Sequence, residues 1–283
     1  MIEIEKVGVV GCGLMGSGIA EVCARSGYDV IVEDLSDEIL KKGLDRIEQS
    51  LSKAVSKGKL SQEEKESALS KIKSSTEPPD FADCDLVIEA VPENLEEKKK
   101  VFAEVDNILP PHAIITTNSS SLCVIEMASV TKRGDKVLGT HFFYPAPIMP
   151  LIELVRTILT SDETIAIIQE FAASLGKTTI VAKDRPGYIC ARLTIPFLLD
   201  AVRAYEEGLA SAKDIDTALE MGMNHPMGPL TVIDFFGLDT LLFIADGLFE
   251  EFKDDRFAAP TLLRRMVTAG HLGRKTGKGF YEY

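Results

Sequence analysis

Residues 6–22 read KVGVVGCGLMGSGIAEV: a short apolar run, glycines at Gly11, Gly13 and Gly16, then a segment whose apolar residues recur at three and four. This is the pattern of a strand that turns directly into a helix. A Gly-x-Gly-x-x-Gly turn at such a junction has a mechanical logic. The first glycine makes the tight turn, the second lets a pyrophosphate approach the backbone, and the third lets helix and strand pack closely. Phosphates then rest on the helix N-terminus, where unpaired N–H groups and the positive end of the dipole favour negative charge. Gly11, Cys12, Gly13, Leu14, Met15 and Gly16 are therefore candidates to hold a dinucleotide. The next β-branched run, DVIVED, completes a β-α-β unit and ends on Asp34, eighteen residues beyond Gly16, where an acid can accept hydrogen bonds from adenosine ribose hydroxyls. Glu33 and Asp34 together repel a 2′-phosphate and no arginine follows directly, so NAD is expected rather than NADP. Asp34 is the expected ribose contact, with Glu33 as the alternative. A glycine-rich turn without ligand is the plainer reading of the loop alone, and the placement of Asp34 argues against it.

The bulk properties set limits on function. A chain of 283 residues with 45% hydrophobic content can bury a sizeable core. No apolar run reaches the ~20 residues of a membrane span, and the N-terminus lacks the charged region and apolar core of a signal peptide, so no membrane partner and a cytoplasmic location are expected. Five cysteines, Cys12, Cys23, Cys84, Cys123 and Cys190, are odd in number and scattered, which suggests small buried residues rather than a disulfide framework or a metal site. A net charge of −13 repels nucleic acid, and any anionic ligand has to be captured by local positive groups.

Further along, DLVIEAV, AIITTN, KVLGTHF, LIELV and TTIVA read as strands, mostly separated by helical segments, among them Glu93–Ile108 and Ser161–Leu175. Such alternation predicts a Rossmann-type, mainly parallel α/β sheet covered by helices. Residues 37–73 stand out as two long polar helices joined near Gly58, an inserted helical pair. After Asp184-Arg185-Pro186-Gly187 only helical periodicity remains. The expected plan is a domain of residues 1–185, with the pair at 37–73, and an all-α C-terminal domain of residues 186–283.

His141 ends a predicted strand, and Glu153 follows in the next strand across a proline-rich reversal. In an open parallel sheet ligands bind beyond the carboxyl ends of the strands, which puts His141 near the dinucleotide. A dehydrogenase needs a base for the hydroxyl proton as hydride leaves carbon, and an imidazole titrating near neutrality suits that task. On spacing alone, however, a hydrogen-bonded core histidine is the preferred reading. His112, His225 and His271 lie beside turns and read as structural. The cluster Asn118-Ser119-Ser120-Ser121 also sits at a strand's carboxyl end, where a hydroxyl can stabilise charge on a reacting oxygen or cap a following helix, Leu122–Ser129.

Taken in order, Gly-Cys-Gly-Leu-Met-Gly, Val-Pro-Glu-Asn-Leu, Thr-Asn-Ser-Ser-Ser, His-Phe-Phe-x-Pro, Asn-His-Pro-Met-Gly-Pro and Gly-Arg-Lys-Thr-Gly-Lys-Gly-Phe-Tyr resemble the short-chain L-3-hydroxyacyl-CoA dehydrogenases, particularly the bacterial 3-hydroxybutyryl-CoA dehydrogenases. The resemblance runs from the first strand to the C-terminus. It implies an NAD-binding domain with an inserted helical pair, a helical domain that makes a homodimer, and reversible oxidation of a 3-hydroxyacyl-CoA to the 3-oxo thioester. By position it makes His141 the catalytic acid/base, which reverses the core-histidine reading, and Glu153 its orienting partner. It makes Ser120 the contact to the reacting oxygen near the nicotinamide. Glu93, Lys98 and Lys275 match family NAD contacts, and Ser50 and Lys57 match contacts to coenzyme A. The residues themselves agree at one point: Ser50, Lys53 and Lys57 share one helix face, and residues 37–73 carry nine Lys/Arg against seven Asp/Glu, although a solvated face would look the same.

Two positions depart from the family pattern. Tyr144 stands where the family has the asparagine of His-Phe-Phe-Asn-Pro, and Ala191 where it has the asparagine of Pro-Gly-Phe-x-x-Asn-Arg. Loss of an amide donor that acts in the transition state costs ~2–4 kcal/mol, and a tyrosine hydroxyl at the substrate can replace one donor. Two other readings stay open. Gulonate dehydrogenase and lambda-crystallin, which act on or derive from enzymes of free hydroxy or sugar acids, share the plan, and Pro150 before Leu-Ile-Glu-Leu-Val is reminiscent of them. A catalytically weakened NAD-binding homologue is the other.

Overall fold

The computed structural model describes residues 3–283, so the first two residues of the expected 1–185 domain lie outside it. The chain divides into two compact units between Arg185 and Pro186.

In the first unit β1 (Lys6–Val10), α1 (Leu14–Arg25) and β2 (Asp29–Glu33) form the opening β-α-β unit, and α2 (Asp37–Ser56) and α3 (Gln62–Ser70) lead into β3 (Ile72–Ser75). Then follow β4 (Leu86–Glu89), α4 (Leu95–Ile108), β5 (Ile114–Thr117), α5 (Val124–Ala128), β6 (Val137–Phe142), β7 (Leu151–Arg156), α6 (Asp162–Ser174) and β8 (Thr178–Lys183). The eight strands form one sheet in the order β3-β2-β1-β4-β5-β6-β7-β8. All neighbours are parallel except β6 and β7. The order reverses between β1 and β4, and this switch point is where an open α/β sheet takes its ligand. With helices against it, the central sheet is mostly apolar, its polar side chains lying toward the carboxyl ends of the strands. Val7, Val9, Val32, Leu86 and Ile88 are fully buried, each such side chain contributing roughly 1.5–3 kcal/mol.

Sequence and structure differ at three places. The helical pair lies between β2 and β3 and ends at Ser70 rather than at residue 73, because residues 72–75 are an edge strand beside β2. Ile-Lys-Ser-Ser carries one apolar residue and is largely exposed, which leaves no alternation to read. The short helix expected at Leu122–Ser129 spans only Val124–Ala128, and no serine caps it. Its first N–H groups, Val124 N and Ile125 N, donate to the two Asp184 oxygens at 2.8 and 2.7 Å. Cys123 and Cys190 are also only partly buried, against the expectation for all five thiols.

The second unit is helical: α7 (Cys190–Glu206), α8 (Ala212–Gly222), α9 (Pro229–Phe236), α10 (Leu238–Phe252) and α11 (Thr261–Thr268). Two buried carboxylates organise it. Asp216 of α8 accepts from Leu230 N, Thr231 N and Thr231 Oγ1, capping α9 from outside, and from Tyr281 Oη at 2.8 Å. Asp234 of α9 accepts from Phe280 N and Tyr281 N, both at 2.9 Å, and so pins the C-terminal segment. Any Cβ at Gly279 would stand 2.0 Å from Asp234 Oδ1, which explains the glycine before Phe280-Tyr281. Replacing Asp234 by alanine strands two backbone donors, each costing about 1–3 kcal/mol. Thermal denaturation should show Asp234→Ala unfolding about 5 °C or more below wild type; an unchanged midpoint would mean that the C-terminal segment is held by other contacts.

Candidate active site

The first unit gathers its polar residues at the carboxyl ends of β1, β2, β4, β5 and β6. At the glycine loop, Gly11 has φ +98° and its N–H donates to Glu33 O at 2.8 Å. A Cβ on Gly16 would lie 1.7 Å from Gly11 O, so the turn closes only on glycine. Gly13 has nothing within 4 Å of a built Cβ. It opens α1 without a side-chain cap and with no acid in the first turn, which leaves an open, positive helix end suited to a phosphate. Asp34, half-buried, accepts from Cys12 N through Oδ2 at 2.6 Å and from Leu35 N through Oδ1 at 2.7 Å. Its carboxylate is thus built into the rim of the loop. Glu33 is buried in the sheet, where burial, then Asp34 and then Glu104 push its carboxyl up to about 7. These features fit a dinucleotide carrying an unphosphorylated ribose, with Asp34 rather than Glu33 at its edge.

On the other side of the switch point lies a buried polar chain. Lys98, 1% exposed, donates to Glu89 Oε1 at 2.6 Å and to Val91 O at 3.1 Å, and stands 3.5 Å from Glu93 Oε2. Glu89 Oε2 accepts from Thr117 Oγ1 at 2.6 Å, and Thr117 Oγ1 accepts from Ser119 N. Glu93 Oε1 accepts from Ser119 Oγ, Ser120 N, Ser121 N and Ser121 Oγ at 2.6–3.1 Å. Burial alone would raise the Glu93 carboxyl; Lys98 and the serine donors outweigh it and hold it below its usual range. Glu93 therefore braces the loop that presents Ser120. Lys98, expected at the cofactor surface, is instead enclosed, with its ammonium spent on these oxygens, and it reaches the site through Glu93.

The His141 and Glu153 backbones face each other in the antiparallel β6–β7 register. Nδ1 of His141 lies 2.7 Å from Glu153 Oε2, with Glu153 fully buried and the imidazole 12% exposed. Asn118 Oδ1 accepts from Phe142 N at 2.9 Å, which ties the serine loop to the end of β6 beside His141. A buried carboxylate on Nδ1 keeps that nitrogen protonated and leaves Nε2 as the basic atom.

Ser50, Lys57 and Tyr144, all expected at the substrate, line a single cleft of about 600 Å³ between α1, α2 and the segment 144–148. Five cations, Arg25, Arg46, Lys53, Lys57 and Lys59, border it against one acid, Glu21. Lys177 holds the far wall in place by donating to Ala146 O and Met149 O, both at 2.8 Å. Lys275 lies in the second unit with its ammonium on both Asp239 oxygens at 2.6 Å, and Ala191 is there also, on α7, whereas Tyr144 belongs to the first. Glu89, Thr117, Asp184 and Arg46 were not singled out from sequence. Of these only Glu89 left a signal, a charge inside the otherwise apolar strand DLVIEAV.

A switch-point glycine loop with its acid, and a histidine–carboxylate pair beside it, define a nicotinamide-dependent dehydrogenase. Family models described as the NAD binding domain and the C-terminal domain of 3-hydroxyacyl-CoA dehydrogenase match residues 6–185 and 187–283, and the chain belongs to this family of NAD-dependent oxidoreductases. It is 46% identical, over 99% of both chains, to a 3-hydroxybutyryl-CoA dehydrogenase of Mycobacterium tuberculosis. It is 41% identical to the human mitochondrial hydroxyacyl-coenzyme A dehydrogenase, covering all of this chain and 92% of the other. Among solved structures, (S)-3-hydroxybutyryl-CoA dehydrogenase from Ralstonia eutropha superposes with a TM-score of 0.96 at 43% identity over 99% of each chain.

The raised Glu33 carboxyl predicts a pH effect. Because its folded value lies above the usual 4.5, its contribution to stability is present below about 4.5 and is lost as pH climbs to about 7. Glu33→Gln cannot ionise, so it should gain on wild type by up to roughly 3 kcal/mol between pH 5 and pH 8. Thermal melts at the two pH values check this, and a constant difference between the proteins would place the Glu33 carboxyl in the ordinary range.

Proposed function

We propose that this chain catalyses the reversible oxidation of an (S)-3-hydroxyacyl-CoA, 3-hydroxybutyryl-CoA foremost, to the 3-oxoacyl-CoA. The observation that carries this reading is the buried Glu153 carboxylate on His141 Nδ1 at the carboxyl edge of the sheet. His141 Nε2 takes the C3 hydroxyl proton, and Glu153 acts as a positioning residue that holds the ring. Ser120 donates its hydroxyl to the C3 oxygen as charge develops there. NAD, when bound, supplies the hydride acceptor. Gly11 to Gly16 carry its pyrophosphate, Asp34 its adenosine ribose, and Glu93, braced by Lys98, shapes the nicotinamide side.

The basic cleft supports a CoA thioester over a free hydroxy acid, because one small carboxylate cannot engage five cations contributed by α1, α2 and the turn after α2, whereas the several phosphates of CoA can. Ser50 and Lys57 contact the carrier, and the Tyr144 hydroxyl stands in for the missing amide. We further propose that the protein is a homodimer formed through the second unit, where Leu193, Phe197 and Phe243 are exposed apolar side chains, and that it works in the cytoplasm, where five free thiols persist.

Wild-type protein should oxidise NADH with acetoacetyl-CoA far faster than with free acetoacetate. The reverse preference would favour the hydroxy-acid reading, and NADH binding without turnover on any 3-oxoacyl-CoA would favour a weakened homologue. His141→Gln should lower kcat by about 10²–10⁴-fold while NADH affinity stays near wild type; retained turnover would remove His141 from the chemistry. If Tyr144→Phe turns over as wild type does, the hydroxyl is not replacing an amide.

A further inference from the structure

The helix that carries the basic face is fastened to the cofactor loop at one residue. Cys12 lies buried between Gly11 and Gly13. Its N–H donates to Asp34, and its carbonyl accepts from Arg46 Nη2 of α2 at 2.7 Å. One turn earlier α2 crosses the loop at Gly43, where a Cβ would stand 2.0 Å from Cys12 Sγ and 2.6 Å from Cys12 O. Gly43, Arg46, Ser50, Lys53 and Lys57 follow one another at spacings of three and four, a single stripe along α2. The front of that stripe grips the glycine loop, and its rear lines the basic cleft, whose lining also includes Leu14 and Ser17 of the helix that the loop opens. Arg46 belongs to both halves, and its Nε is buried without a hydrogen-bond acceptor.

α2 therefore supplies both a wall of the cleft and, through Gly43 and Arg46, a support of the glycine loop. A ligand bound against α2 bears on the helix whose Arg46 holds the carbonyl of the Cys12–Gly13 peptide, while Asp34 holds the N–H of the Gly11–Cys12 peptide before it. Because the peptide is planar, holding the Cys12 carbonyl fixes the direction of the Gly13 N–H, where a phosphate would rest. We propose that Arg46 is a positioning residue coupling the two sites, so that a CoA carrier in the basic cleft tightens the binding of NAD(H), and the reverse by linkage. The proposal rests on the carrier reading of the cleft given above.

Calorimetric titration of NADH into the full-length protein, with and without saturating CoA, tests it. In wild type, CoA should lower the NADH Kd by about five-fold or more. In Arg46→Met, which keeps the aliphatic stem and loses the donors, the effect of CoA should shrink below about two-fold. A merely structural loss weakens each ligand separately and leaves this ratio alone. Arg46→Gln is titrated in the same way should the methionine variant fail to fold. CoA binding to wild type with no change in NADH affinity, or a variant response equal to that of wild type, overturns the coupling. Failure of wild type to bind CoA at all would instead strike down the carrier reading of the cleft, and the coupling with it.

Discussion

The reversal between β6 and β7 is the constraint on which the site depends. Every other neighbouring pair in the sheet is parallel, and a parallel partner would need a long crossover before returning. The antiparallel turn instead brings Glu153 back directly opposite His141 within twelve residues, on the edge where β1 and β2 present the glycine loop and Asp34. Glu153 is fully buried, so its charge has a partner in the imidazole and little solvent to compete. A register slip of one residue would turn one of the two side chains to the other face of the sheet.

Around this pair the protein spends buried polar groups on fixing backbone rather than on exposed ion pairs. Glu93 gathers four donors from the serine loop, Asp184 caps α5 just beyond it, and Asn118 ties that loop to β6. The second unit uses the same device with Asp216 and Asp234. In each case removal of the acceptor leaves enclosed N–H groups without a partner, which is costlier than the bond itself is stabilising. Loops built in this way hold a site without needing long secondary structure.

Much of this was legible in the sequence because its signals are local. The glycine spacing, Asp34 at the end of β2, His141 and Glu153 flanking a proline-rich reversal, and Ser50, Lys53 and Lys57 on one helix face can all be read from neighbours in the chain. The rest depends on distance. β3 is polar because it is an edge strand, and its partner β2 lies forty residues earlier, so no periodicity marks it. Lys98 matched a cofactor contact by position, yet the carboxylate of Glu89, supplied by the preceding strand, draws it inside. Asp184 caps a helix sixty residues before it, and Arg46 finds a carbonyl thirty-four residues away. Nothing short of the fold brings those groups together.

The role proposed for His141 depends on which of its ring nitrogens carries the proton. With only four histidines in the chain, nitrogen-15 NMR of histidine-labelled protein at a pH where the imidazole is neutral can assign the tautomer directly. The geometry predicts a protonated Nδ1 and an unprotonated Nε2 at His141, with that preference lost in Glu153→Gln. A proton on Nε2 in the wild-type protein would contradict it, because the nitrogen proposed to accept the substrate's proton would already be occupied.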